Sequence, residues 1–292
     1  MATEAATYEH HHFDVGPRRT TFSASRAALG ALLLRDVAVL WKDVVIFVLR
    51  TVIQPFLLCF VFLFIFPKIG QSVGGAGAAA ESAFATVLVA GVVGISIMFQ
   101  GVQSVALQMA TEFGFTREIE DRVQAPCPIW LVAFEKVLSG AIQGMISAAI
   151  VLPIASVVHA SGVSAHLNLH WLILLTLVPI ACVATAALGL VLGTSFEPRN
   201  IGLMFGFIIL PITFLGGTYY QWTRLSSVKL GSWHWLQTVV LINPLIYVNE
   251  GMRAAFTNVP HMHLYVIYPV LIGFCVGFLW LGLRNFKRRV LS

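Results

Sequence analysis

The chain has 292 residues, of which 58% are hydrophobic and only 11% charged, and its net charge is +5. That balance excludes an ordinary water-soluble fold, in which about a quarter of the residues are charged. The 18 basic residues stand at the ends of apolar segments rather than in one aromatic-interleaved patch, so the charge describes membrane topology and no nucleic-acid partner is expected.

Residues 1–21 are polar and are expected to form a disordered cytoplasmic tail that includes the three consecutive histidines at 10–12. Residues 22–43 follow as an amphipathic helix. Ser23 or Ser25 suits its N-cap, and Arg35, Asp36, Lys42 and Asp43 suit its polar side, so it is placed along the inner membrane surface. The same residues also suit a simple extension of the first crossing.

Charge-free runs cover residues 82–111, 137–196 and 254–283. About 20 apolar residues cross a bilayer core, so the middle run holds two crossings. Backbone polar groups must be satisfied internally in lipid, which makes each crossing helical. The expected architecture is an all-α integral membrane domain over 44–292, with crossings at 44–66, 83–109, 134–158, 171–193, 201–217 and 264–283. The first apolar run begins only near Val44 and outlasts a signal peptide's apolar core, so it is read as a permanent crossing. A cytoplasmic N-terminus puts 14 of the 18 basic residues inside and leaves Lys68, Arg224, Lys229 and Arg253 outside, which favours both termini in the cytoplasm.

Between the first two crossings, Gly70 to Ala80 reads as a flexible linker. Four crossings carry G-x-x-x-G, at Gly140/Gly144, Gly189/Gly193, Gly202/Gly206 and Gly273/Gly277, a spacing that permits close helix approach in lipid. Residues 111–130 gather Glu112, Arg117, Glu118, Glu120, Asp121 and Arg122 before Pro126 and Pro128. Composition alone suits both a solvated connection and a short charged docking element held to the third crossing by the prolines. The stretch 218–263 is too long for an ordinary connection and too apolar for a solvated one, and its tryptophans suit an interface. It is expected to re-enter the membrane as two short helices broken near Asn243 and Pro244, with Glu250 and Arg253 either paired at i,i+3 or separately exposed at the interface.

No G-x-x-x-x-G-K-[ST] occurs and no lysine follows a glycine, so this chain carries no Walker A phosphate loop. The energy source is therefore expected in a partner. An ion-driven transporter is the rival within transport, disfavoured because the cores of the second to sixth crossings lack ionisable residues. A membrane scaffold is the other alternative. A metal or nucleophilic enzyme is disfavoured. His159, His166, His170, His234, His261 and His263 lie in outer loops without close acidic partners, and neither H-E-x-x-H nor G-x-S-x-G is present. Cys59, Cys127, Cys182 and Cys275 are too scattered for a disulfide or metal framework.

Three segments carry a resemblance: LLLRDVAVLWKD leading to Gln54-Pro55, the inner TREIEDRVQAPCPIWLVAFEK, and the outer INPLIYVNEGMRAAF. They resemble the ABC-2-type permeases, in particular the daunorubicin-resistance group and more distantly the polysaccharide-export permeases. The resemblance implies that Glu112, Arg117, Glu118, Asp121 and Arg122 seat a coupling helix on a cytoplasmic ABC ATPase. In this chain that loop reads Glu118-Ile119-Glu120-Asp121 where the family more usually has Gly-Thr. Asn243, Pro244, Glu250 and Arg253 would mark the outer re-entrant segment. The resemblance further implies a second permease copy or a related permease, ATP and magnesium bound by the ATPase with no cofactor on this chain, and a multi-pass location in the cell membrane. A path between the first, second and fifth crossings would be lined by Phe56, Phe60, Met98, Phe99, Met204, Phe205 and Phe214, and would suit export of an amphipathic or lipid-like cargo.

Overall fold

The computed structural model describes residues 21–71, 77–114, 128–158, 165–229 and 231–291. Among these the elements are helical. The first, α1 (Thr21–Lys42), turns at Asp43 into α2 (Val44–Lys68). Then come α3 (Ala78–Gly114), α4 (Ile129–Val157), α5 (Trp171–Ser195) and α6 (Pro198–Leu215). Two short helices, α7 (Trp235–Val239) and α8 (Pro244–Phe256), precede the last long one, α9 (Leu264–Val290). Six of these, α2 to α6 and α9, are long and apolar enough to cross a membrane, as the sequence indicates.

Several boundaries move. Ser23 and Ser25 do not cap α1, which is already helical at Thr21. The helix α3 runs to Gly114, five residues past the expected limit, because Glu112 is neutralised inside the protein instead of terminating the helix. In the same way α4 begins at Ile129 after an extended Pro128 and carries Glu135 and Lys136 within its second turn.

The bundle is organised around α3, which packs against α5, α4, α8 and α2, while α9 packs along α5 and α1 rests on α4. Its contact face is built from small residues. A Cβ at Gly189 would meet the Val102 backbone at 2.8 Å, and one at Gly193 would meet Ala106 at 3.0 Å. On α4, Gly140 and Gly144 face Ser104 and Cys182 in the same way, at 2.9 and 3.2 Å. The other two G-x-x-x-G pairs, on α6 and α9, have open space in front of them. The shared spacing thus marks an internal contact in two helices and an uncovered face in two.

Both peripheral crossings α2 and α6 widen by one turn of π-type helix, at Phe60–Ile65 and Phe205–Ile209. In each case a proline, Pro67 or Pro211, stands two residues beyond. A proline ring collides with the carbonyl four residues back and offers it no donor, and a widened turn relieves both problems. At the far end, Arg289 of α9 donates to the carbonyls of Gly193 and Phe196 at 3.1 and 2.9 Å, which ties the last turn of α9 to the negative end of α5.

Candidate functional site

Three polar constellations lie inside a bundle whose composition is otherwise apolar. The first joins α1, α3 and α4. Lys136 of α4, fully buried, has its ammonium 3.2 Å from Asp36, 3.2 Å from Glu112 and 3.6 Å from Glu135. Glu112 lies in the last turn of α3 and Lys136 is the eighth residue of α4, so the cluster ties the helices on either side of residues 115–127 to α1. Burial alone would raise the Asp36 carboxyl, but Lys136, a hydrogen bond with Glu135 and nearby Arg35 together hold it below its usual range. Such a cluster is costly to disrupt, because removal of one partner strands a buried charge.

This placement revises the role expected of Glu112. Its carboxylate is turned into the protein toward Lys136 and is 4% exposed, so it is not presented to a docking partner. Arg117, Glu118, Asp121 and Arg122 lie outside the described residues.

The second constellation is in the connection between α6 and α9. Asn243 caps α8 by accepting from the Leu245 amide at 2.9 Å, and its own amide donates to the Ile212 carbonyl of α6 at 2.7 Å. Pro244 occupies the first helical position, where no donor is needed. Every residue of α8 is buried. Glu250 accepts from Arg253 at 2.8 Å, from the Trp222 amide at 2.8 Å and from the Met262 amide at 2.9 Å. Arg253 also donates to the carbonyl of Gly217. Asn249 donates to Gly216 O at 2.7 Å and to Thr218 Oγ1 at 3.1 Å, and its side chain lies against Gly94 of α3. Of the two arrangements the sequence allowed for Glu250 and Arg253, the structure has the pair, buried inside the protein rather than at a surface.

The third constellation was not anticipated. Thr51 of α2 donates to Gln100 of α3 at 3.4 Å, and Gln100 donates to Gln143 of α4 at 3.1 Å, a polar chain across three helices. Two cavities border it, of about 580 and 330 Å³, and both are lined by Arg50 and Gln103. The larger reaches Asp36, Gln108, Thr111 and Glu112; the smaller reaches Gln54, Ser96, Phe99 and Ser147. The signal in the sequence was Arg50 with Gln54 one turn later, and Gln100 with Gln103 and Gln143, all inside apolar stretches that composition reads as uniform.

The seven residues expected to line an apolar path differ in burial. Met98 and Met204 are 1% exposed and belong to the packed core. Phe56 and Phe60 stack at 5.7 Å on α2, and Phe214 is exposed on α6. Phe205 packs partly against the core, and Phe99 borders the smaller polar cavity. Among the described residues the histidines do not converge either: His170 leads into α5 and bonds through its backbone to Ala255 O at 2.8 Å, while His263 stacks on Tyr265. His234 precedes α7, the His166 backbone amide donates to Thr86, and the His261 ring bonds the Val259 carbonyl at 2.9 Å.

Comparison with known proteins agrees with this architecture. Residues 27–257 match the family described as ABC-2 type transporter. The chain is 26% identical over 234 residues to the inner membrane transport permease YadH of Escherichia coli K12, covering 78% of this chain and 84% of that protein. It is related to the same degree to the YadH permease of Shigella flexneri. The chain therefore belongs to the ABC-2 type transporter family, as a multi-pass membrane permease subunit of an ABC transporter.

Proposed function

We propose that this chain is the membrane half of an exporter for an amphipathic or lipid-like substrate, paired with a second permease copy or a close relative and driven by a separate cytoplasmic ABC ATPase that binds ATP and magnesium. On this reading both termini are cytoplasmic and the protein resides in the cell membrane. ATP-driven closure of the ATPases acts on residues 111–130 and switches a path between inward-facing and outward-facing states.

The observation that supports this most directly is the Lys136 cluster. A push on the segment between α3 and α4 is delivered to both of its ends, and there Glu112, Glu135 and Lys136 are bound together and to Asp36 of α1. Separating one partner of this cluster strands a buried charge, which is costly, so the joined segments stay together under displacement. Displacement of the segment thus moves α1, α3 and α4 as one piece rather than deforming them separately.

Co-expression with the ATPase encoded nearest to the chain tests the reading. Co-purification in detergent and ATP hydrolysis are compared between the wild type and Arg117→Ala/Asp121→Ala/Arg122→Ala. Loss of the complex in a variant that still elutes as a folded permease supports coupling through 111–130. Failure of the wild type to bind any ATPase overturns it.

A further inference from the structure

We propose that the two cavities between α2, α3 and α4 form one water-filled groove that takes an uncharged, hydroxyl-bearing headgroup, with Ser147 at its deep end. The inference deepens the transport reading by giving the headgroup chemistry of the cargo, and it rests on that reading only for the statement that the headgroup is carried.

The groove follows one face of α3. Ser96, Gln100, Ser104, Gln108 and Thr111 recur at steps of three or four residues, the spacing of a single helix face, and all of them line the cavities. Gln103 stands beside this stripe and lines both cavities, joining its two halves. From Ser96 to Thr111 the stripe covers about 22 Å of helix, a length comparable with the roughly 30 Å of a bilayer core. Thr111 is exposed at one end, as is Arg35 of α1, so the groove opens there.

Ser147 marks the other end, about 27 Å along α4 from Ile129. Its hydroxyl is buried and has no hydrogen-bond partner among the described residues, although it lines the smaller cavity. A buried hydroxyl left unpaired is costly, so this one calls for a ligand that supplies the partner. The cavity volume of about 330 Å³ far exceeds the roughly 30 Å³ of one water, and a polar cavity of this size holds water where an apolar one stays dry. Arg50 needs the same surroundings, because it lies within a crossing, where ionisable side chains face the bundle interior or a water-filled cavity.

The charges of the lining balance, and that sets the class of headgroup. Across the two cavities they are Arg35 and Arg50 with Asp36 and Glu112, two of each sign, so no net charge selects an ion. What remains are hydroxyls and amides. Ser96 and Ser104 donate to carbonyls of α3 at 2.6 and 3.1 Å, which leaves their oxygens as acceptors, while the amides of Gln54 and Gln103 can both donate and accept. A ligand hydroxyl also does both, so a sugar or other polyol satisfies this lining as water does. Ile53, exposed beside Gln54, gives the groove an apolar edge at which the attached chains stay in lipid.

The test places a single cysteine, Gln103→Cys or Ser147→Cys, in the full chain held in dioleoyl phosphatidylcholine nanodiscs, and follows its modification by a charged methanethiosulfonate reagent. Peptide mass spectrometry locates the modified thiol, so the native cysteines remain, and Cys182 in the packed core and Cys275 on α9 serve as controls. Both introduced thiols are expected to react at least about tenfold faster than Cys182 and Cys275, since a charged reagent reaches a thiol at this depth only through water. Monoglucosyl dioleoylglycerol is expected to slow Ser147→Cys saturably and at least about threefold, while phosphatidic acid leaves the rate within about twofold. Gln103→Leu added to Ser147→Cys removes this protection, and Arg284→Gln on α9, outside the groove, keeps it. Modification of both introduced thiols as slow as that of Cys182 overturns the groove. Fast modification that the glucosyl lipid does not slow, or that phosphatidic acid slows more, overturns the headgroup class. Unchanged elution and melting of the variants separates access from folding. Because no ATPase takes part, a chain that binds its ATPase but fails here loses the groove and keeps the transport reading.

Discussion

The Oε1 of Glu250 accepts at 2.8 Å from Nη1 of Arg253 one turn later on α8, and both side chains are completely shielded from solvent. The same carboxylate receives the backbone amides of Trp222 and Met262, so a single residue holds together the segment after α6, the helix α8 and the entry to α9. Glu250→Ala strands the guanidinium and two amides, and it should destabilise the protein by about 3–5 kcal/mol. A lowered melting temperature of the purified chain reports this loss. Glu250→Ala/Arg253→Met should recover part of it, since no buried charge then remains, and a double-mutant cycle measures the coupling.

Lys136→Met removes the one ammonium shared by Asp36, Glu112 and Glu135, with a cost of the same order, about 3–5 kcal/mol. The expected signature is regional: hydrogen exchange rises across α1 and the end of α3, while α8 stays protected. A uniform rise along the chain would show that the cluster does not hold α1 in particular.

Acidification should loosen the same contact. The Asp36 carboxyl is lowered in the folded protein relative to its unfolded value of about 3.9, so its stabilising share is complete above that value. It is lost as pH falls through the lower folded value. Wild type is expected to lose melting temperature below about pH 4 more steeply than Asp36→Asn, which has no carboxyl to protonate.

The two classes of G-x-x-x-G should separate on substitution. Gly189→Ala places a methyl group against the Val102 backbone of α3, and it should cost about 1–3 kcal/mol through overpacking. Gly277→Ala meets open space, and its effect should lie between neutral and about 1 kcal/mol stabilising. Paired thermal melts distinguish the two, and equal losses would contradict the packing described for α3 and α5.

Hydropathy and proline placement determined the number of crossings and the break at Asn243-Pro244, because lipid permits only helices and proline is tolerated at a helix start. The charge pattern likewise put Glu250 and Arg253 at i,i+3 spacing, and the fold decided for the pair over separate exposure. Where each polar group points was decided only by tertiary packing. Composition presents Glu112 as one more charge in a charged loop, and its inward turn depends on Lys136 arriving from another helix. Met98 and Met204 have the same hydrophobicity as path-lining residues, but the close approach of neighbouring helices puts them in the core. The cleft at Arg50 was illegible for the same reason. Its glutamines are spread over three helices, isolated in sequence among apolar neighbours, and they come together around the two cavities only when α2, α3 and α4 are brought side by side.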